Sequence, residues 1–230
     1  MRKSDASWGE NVGSTSNYPP AGTPATRFWL LDPQPEANRE AAAVAPRGDR
    51  APLVKLALLF YGALFAVALA WSIWSGRSVF YASQAAAGEG VAPLLDTGLG
   101  LAVAAATIAL SRKITECTAW GDAMGRALAQ LLGERSVRDC IVLAVASGVA
   151  EEAFFRGALQ PALGWLLASL IFGLVHFAPK RELLPWTGFA LCAGLVLGAL
   201  FEFTGNLVAP IVAHVGINAV NLRRLTLRYR

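Results

Sequence analysis

Hydrophobic and polar positions fall along this chain in long blocks rather than residue by residue. After some fifty mixed residues, an apolar stretch runs from Leu53 to Trp74 with no charge beyond Lys55. At 1.5 Å per residue it is long enough to cross an apolar layer of about 30 Å. A second stretch runs from about Val91 to Leu110 and meets Arg112-Lys113. Ile114 to Glu134 follows a helical period instead: Trp120, Met124, Leu128, Leu131 and Leu132 share one face while Asp122, Arg126 and Glu134 lie elsewhere, as in a helix resting on a membrane surface. Four more apolar stretches follow, at Arg138 to Gln160, Ala162 to Ala178, Pro185 to Phe203 and Leu207 to Leu222. Pro161 and the segment from Pro179 to Pro185 read as helix breaks. The pattern predicts an all-α, polytopic transmembrane helix bundle of about six spans with one interfacial amphipathic helix. No period of about 20 to 50 residues repeats, so a solenoid is not indicated.

Composition agrees with a bilayer setting. The 230 residues are 55% hydrophobic and only 16% charged, with a mean hydropathy of +0.46, whereas soluble domains carry roughly a quarter charged residues. The net charge of +4 changes meaning once it is located. Residues 1–50 hold six basic and six acidic side chains, and the excess lies at the ends of the apolar blocks. With both termini cytoplasmic, twelve of the fourteen basic residues after position 50 face the cytoplasm, leaving Arg77 outside and Arg156 within a span. The charge therefore labels the topology of a multi-pass protein, expected in a bacterial inner or other plasma membrane, and gives no nucleic-acid face. The neutral segment 1–50, with six prolines, reads as a disordered cytoplasmic tail ahead of a membrane-embedded domain at 51–230. Within that tail Phe28-Trp29-Leu30-Leu31 is either a chance cluster or a contact with the membrane or the folded body. The first long apolar run starts too far from Met1 for a signal peptide. Cys117, Cys140 and Cys192 form no C-x-x-C pair and suggest neither a zinc knuckle nor a disulfide framework.

The informative residues are those that do not belong in hydrocarbon. The third span carries Glu151, Glu152 and Arg156 near its middle. Each such charge costs about 2.5 to 3.5 kcal/mol on insertion scales, which makes an intramembrane cluster a candidate site. Glu152 and Arg156 are four apart and can pair on one helix face, whereas Glu151 is turned by about 100° from Glu152. One carboxylate thus reads as structural and the other as free to react. The chain's two histidines, His176 and His214, both lie in apolar helices, and Asn218 follows His214 by four residues on the same face. Taken singly, each histidine is as well explained by a bond to a backbone carbonyl or a neighbouring helix. Together on three helices of one small bundle, these residues point to chemistry. A carboxyl group in a low-dielectric site makes a base suited to hydrolysis, and a His/Asn pair supplies donors for a developing oxyanion. No G-x-S-x-G or H-E-x-x-H occurs, so serine hydrolases and zincins lack their signatures.

The sets Glu151-Glu152-x-x-x-Arg156, Phe172-x-x-x-His176 and His214-x-x-x-Asn218, in this order within residues 139–221, resemble the three motifs of the CPBP family. These are the CAAX-protease and bacteriocin-processing (ABI) membrane proteins that include the type II CAAX prenyl endopeptidases. The flanks Phe154-Phe155-Arg156-Gly157, Ser169-Leu-Ile-Phe172-Gly and Thr204-Gly205-Asn206 are similar as well. The resemblance implies an intramembrane glutamic-type endopeptidase that cuts near the C-terminus of a membrane-associated or lipidated protein or peptide. It implies Glu151 as the base that activates water, His176 as its assistant, His214 and Asn218 as oxyanion donors, and Glu152 and Arg156 as supports beside Phe172. No cofactor is required on this reading; the alternative is a zinc ion held by Glu151, His176 and His214. Two other classes stay open: a non-catalytic bacteriocin-immunity-type binding protein, and a transporter or proton relay. Because Glu151 lies 13 residues into its span while His176 and Asn218 lie near the cytoplasmic ends of theirs, the motifs are expected to meet through a third helix that starts below the membrane surface, with Val137 to Cys140 in the cytoplasm.

Overall fold

The computed structural model describes residues 51–229, so the expectations for the 1–50 tail lie outside the described residues. The described residues are helical, with one isolated antiparallel bridge between Tyr81 and Asn206 and no strand among them. In chain order they form α1 (Ala51–Ser75), α2 (Gln84–Glu89), α3 (Pro93–Cys117), α4 (Ala119–Leu132), α5 (Val137–Glu152), a π-helical turn (Ala153–Leu159), α6 (Gln160–Leu163), α7 (Trp165–Val175), a 3₁₀ turn (Arg181–Leu183), α8 (Leu184–Thr204) and α9 (Val208–Arg228). Three stretches, Pro52–Ser75, Pro93–Cys117 and Arg181–Thr204, are long and apolar enough to cross a membrane, with mean hydropathies of 2.2, 1.7 and 1.8. Leu56, Leu59, Phe60, Ile73, Trp74, Leu94 and Phe203 point outward, which suits a surface solvated by lipid rather than water. The chain is an integral membrane protein built as an all-α bundle.

Several boundaries differ from those expected. Arg112-Lys113 does not stop the second helix, because Arg112 pairs with Glu116 at 2.9 Å one turn on and keeps the exposed end helical to Cys117. Thr118 makes the break, its hydroxyl accepting from the Gly121 amide to cap α4, so the amphipathic helix begins at Ala119 rather than Ile114. In α4, Gly121, Gly125 and Ala129 pack inward, and Trp120 and Leu131 stay exposed. The apolar stripe expected there is split: Trp120 and Leu131 face outward, whereas Met124, Leu128 and Leu132 are half-buried beside the small residues that pack inward. Pro161 does not break its helix either. The π-helical turn before it has already shifted the hydrogen-bond ladder, with the Gln160 amide donating to the Phe155 carbonyl, and the helix ends at Gly164 with φ +86°. The fourth apolar stretch is correspondingly short. At 11 residues α7 is about 16 Å long, half an apolar core. The last helix, by contrast, runs past Leu222 to Arg228.

Capping and close approach set the remaining geometry. Ser136 and Asp139 form a reciprocal capping box that starts α5 at Val137. Asp96 and Asn206 are both buried, and the Asn206 Nδ2 donates to Asp96 Oδ2 at 2.9 Å, tying the α8–α9 turn to the first turn of α3. The helix crossing that matters most is α5 on α9. A Cβ on Gly148 would sit 2.6 Å from Val215 Cγ2 and 3.1 Å from the Val215 backbone nitrogen, so only glycine lets the helices approach this closely.

Candidate active site

The α5–α9 crossing places Glu152 beside His214, one residue before Val215. Glu152 is fully buried, and its Oε1 receives His214 Nδ1 at 2.6 Å and Arg156 Nη1 at 3.1 Å. Arg156 is 1% exposed. Its Nη2 donates to the Gly194 carbonyl at 3.1 Å, and its guanidinium lies 4.5 Å from the centre of the Phe172 ring. Phe172 also packs edge-on against Phe155 at 5.0 Å and tilted against His176 at 4.6 Å. The expected Glu152–Arg156 pair is present, and the same carboxylate also orients His214.

Glu151 stands apart from this network. Its Oε2 is buried without a hydrogen-bond partner, 3.8 Å from His176 Nε2 and 3.9 Å from His214 Nε2. Tautomers follow from what each ring's other nitrogen touches. His176 Nδ1 lies 2.7 Å from the Phe172 carbonyl, which can only accept, so Nδ1 carries the hydrogen. His214 Nδ1 likewise donates to the Glu152 carboxylate. In the neutral rings both Nε2 atoms therefore turn lone pairs toward Glu151 Oε2. Three acceptors converge on one point, which suits a species with hydrogens to give, such as a water molecule.

These groups line a cavity of about 330 Å³ that also takes in Tyr61, Ser147, Trp186, Phe189 and Asn218. Asn218 Nδ2 donates to Ser147 Oγ at 2.9 Å, leaving its second amide hydrogen available. An apolar groove of about 300 Å³, lined by Leu128, Leu131 and Leu225, shares Leu53, Leu132, Trp186 and Phe189 with the cavity and continues it outward. The half-length helix α7 stops at Val175, and His176, the next residue, comes within 3.8 Å of Glu151.

All seven motif residues come together. Tyr61, Ser147 and Trp186 are site residues that sequence reasoning missed. Tyr61 faces both Glu151 and Ser147, and the Trp186 ring lies 5.8 Å from His176. In an apolar helix each reads as ordinary span composition, and only the packing reveals it.

An all-α membrane bundle with a carboxylate between two imidazoles is thus the class that fold and site define. Residues 134–220 match the family described as "Type II CAAX prenyl endopeptidase Rce1-like". That family is the CAAX-protease (CPBP) family, and the similarity covers the motif-bearing segment, under half of the chain. A curated relative, "Uncharacterized protein YpbD" of Bacillus subtilis (strain 168), is 40% identical over 93 residues, covering 40% of this chain and 48% of the relative. The aligned region thus spans about half of that relative's length. No solved structure matches the chain.

Proposed function

We propose that the protein is an intramembrane endopeptidase that hydrolyses a peptide bond near the C-terminus of a membrane-associated protein or peptide by glutamate-activated water. The observation that carries this reading is Glu151 Oε2, buried and unpartnered between two Nε2 atoms at 3.8 and 3.9 Å. Water held there loses a proton to Glu151 while His176 Nε2, fixed by the Phe172 carbonyl, accepts a hydrogen bond from it and aims its oxygen. The hydroxide adds to the scissile carbonyl. The negative charge that forms on the carbonyl oxygen meets the free Asn218 amide hydrogen and, when His214 carries a proton on Nε2, that N–H as well, with Glu152 as counter-charge on the far side of the ring. Glu151 then returns its proton to the leaving amine. Arg156 holds Glu152 in place.

The continuous groove and cavity suit a substrate with an apolar part that arrives from the membrane, and the proposed topology puts the cavity on the cytoplasmic side. The sequence at the cut stays at the level of class: a prenylated CAAX terminus, a bacteriocin-like peptide or a C-terminal sorting signal. No step is routed through a metal; on the zinc alternative Glu151, His176 and His214 would hold the ion, and it would supply the acid that activates water. A binding protein or a transporter would leave the peptide bond uncut. The test is to map protein C-termini in membranes from cells with the wild-type chain and with Glu151→Gln at equal expression. New termini present only with the wild type support the reading, and identical termini overturn it.

A further inference from the structure

The segment that matches the family begins well after α1, yet α1 reaches the site. Tyr61 on α1 lines the same cavity as Glu151, Ser147 and Asn218, and faces both Glu151 and Ser147. Ser147 is buried one turn before Glu151, donates to the Ala144 carbonyl at 3.2 Å and accepts from Asn218 Nδ2 at 2.9 Å. Its oxygen accepts from the α9 amide, and its one hydrogen serves either the Ala144 carbonyl or, turned toward the cavity, the Tyr61 phenol oxygen, whose own hydrogen goes to Glu151. Nothing local in the chain pairs these residues: Ser147 and Asn218 are 71 positions apart, and Tyr61 lies on another helix altogether.

We infer that Tyr61 and Ser147 are positioning residues that join the base Glu151 to the oxyanion donor Asn218 by a chain of hydroxyl contacts. This rests on the proposed hydrolytic role of Glu151. The physical reason is the geometry that hydrolysis needs. Base and oxyanion donor act on opposite sides of one carbonyl, so their separation must hold while water and substrate enter. Glu151 sits on α5 and Asn218 on α9. The Glu152–His214 bond fixes one point between these helices, and the Ser147–Asn218 bond fixes the oxyanion donor itself, with Tyr61 meeting Ser147 and Glu151 from α1. The phenol has a hydrogen to give the otherwise acceptor-only Glu151 carboxylate. It thus turns that side chain toward one rotamer and leaves Oε2 to the histidines. Other charged or titratable groups around Glu151 are His176 from the α7 end, His214 from α9, and Glu152 and Arg156 on its own helix and the turn that continues it. None of them touches Ser147 or the Asn218 amide in a described hydrogen bond. Ser147 to Asn218 and Glu152 to His214 already join α5 to α9; Tyr61 adds a contact from α1 to Glu151 and Ser147, which makes α1 part of the site rather than a passive neighbour.

The test uses the full chain in membranes. A synthetic peptide spanning the most abundant Glu151-dependent cut site gives kcat and KM for the wild type, Tyr61→Phe, Ser147→Ala and the double variant. Each single change is expected to lower kcat about 10- to 100-fold, the loss of one hydrogen bond to a charged or catalytic group, with KM within about twofold. Because the two act as a unit, the double variant should lose no more than the worse single one. Ser147→Thr, which keeps the hydroxyl, should restore most of the rate lost in Ser147→Ala. Unchanged kcat in both single variants overturns the inference. So does a multiplicative loss in the double variant, or a fall in thermal stability that accounts for the lost rate. Glu151→Gln separates the two levels. If it abolishes cutting while Tyr61→Phe and Ser147→Ala do not, the inference fails and the hydrolytic reading stands; if no Glu151-dependent cut exists, both fail.

Discussion

Replacing Arg156 by Met would remove one charge from the interior while keeping most of the side-chain volume. Arg156 contributes three contacts: the 3.1 Å bond to Glu152, the 3.1 Å bond to the Gly194 carbonyl and the stack on Phe172. Without it Glu152 keeps only His214 as a partner, and its other oxygen is already buried without one. Breaking a buried pair on one side typically costs about 3 to 5 kcal/mol, because the remaining charge has no solvent to return to. Against a total stability of about 5 to 15 kcal/mol, such a loss removes about a fifth or more. Glu152→Gln leaves an isosteric neutral acceptor for His214 but strands the guanidinium. The double variant Glu152→Gln/Arg156→Met carries no buried charge at this position and should recover much of the loss, giving a coupling energy of about 2 kcal/mol or more. Reversible denaturation in mixed micelles, followed by tryptophan fluorescence, provides the four stabilities of the cycle. If Arg156→Met costs under about 1 kcal/mol, or the two changes add within about 0.5 kcal/mol, the pair does not hold the site as argued.

Further expectations follow from other parts of the structure. Gly148→Val should push α5 off α9, cost about 1 to 3 kcal/mol by overpacking, and abolish cleavage while the protein still inserts; protease resistance and peptide cleavage measured side by side check this. Incubation with EDTA and then 1,10-phenanthroline should leave peptide cleavage unchanged, and a rate that falls with chelator and returns with zinc would favour the zinc alternative. At the α4–α9 contact the Tyr229 hydroxyl donates to Asp122 at 2.8 Å and holds its carboxyl below the usual range, with Arg126 and Arg228 adding to the effect. A lowered folded-state pKa means the contribution is complete above the unfolded value of about 3.9 and is lost as pH falls through the lower folded one. Hydrogen exchange of residues 119–132 should therefore differ between wild type and Asp122→Asn at about pH 6, and converge only in strong acid.

How much of the molecule is legible in its sequence depends on whether a residue's meaning is local. Glu151, Glu152, Arg156, His176 and His214 stand out because ionisable groups are costly in apolar helices, and four-residue spacing alone puts Glu152 with Arg156 and His214 with Asn218 on shared helix faces. The apolar blocks likewise mark where the helices lie. Local rules fail where a neighbour or a non-α turn intervenes. Arg112 keeps its helix by pairing with Glu116, and Pro161 is absorbed behind a π-helical turn. That turn leaves Gln160 facing α8, where its Nε2 donates to the Gly198 carbonyl at 3.0 Å and to Glu202 at 2.8 Å. The length of α7, which sets the position of His176, is hidden because Ala162 to Ala178 is apolar almost throughout and only the glycine at 164 and the turn at 176 cut it. Ser147 takes its role from a partner 71 residues away, Asp96 and Asn206 from partners 110 apart, and Tyr61 from α5, distances that no window along the chain can see.

The central claim, that the Glu151 carboxylate is the base that activates water, is tested most directly by turnover in three purified proteins of equal yield and thermal stability: wild type, Glu151→Gln and Glu151→Asp. With a peptide cut by the wild type, Gln, which has the shape but not the basicity, should lower kcat by about 10² to 10⁴, the span that a positioned base contributes. Asp, basic but one methylene short, should retain more than Gln. Wild-type turnover in Glu151→Gln would contradict the account.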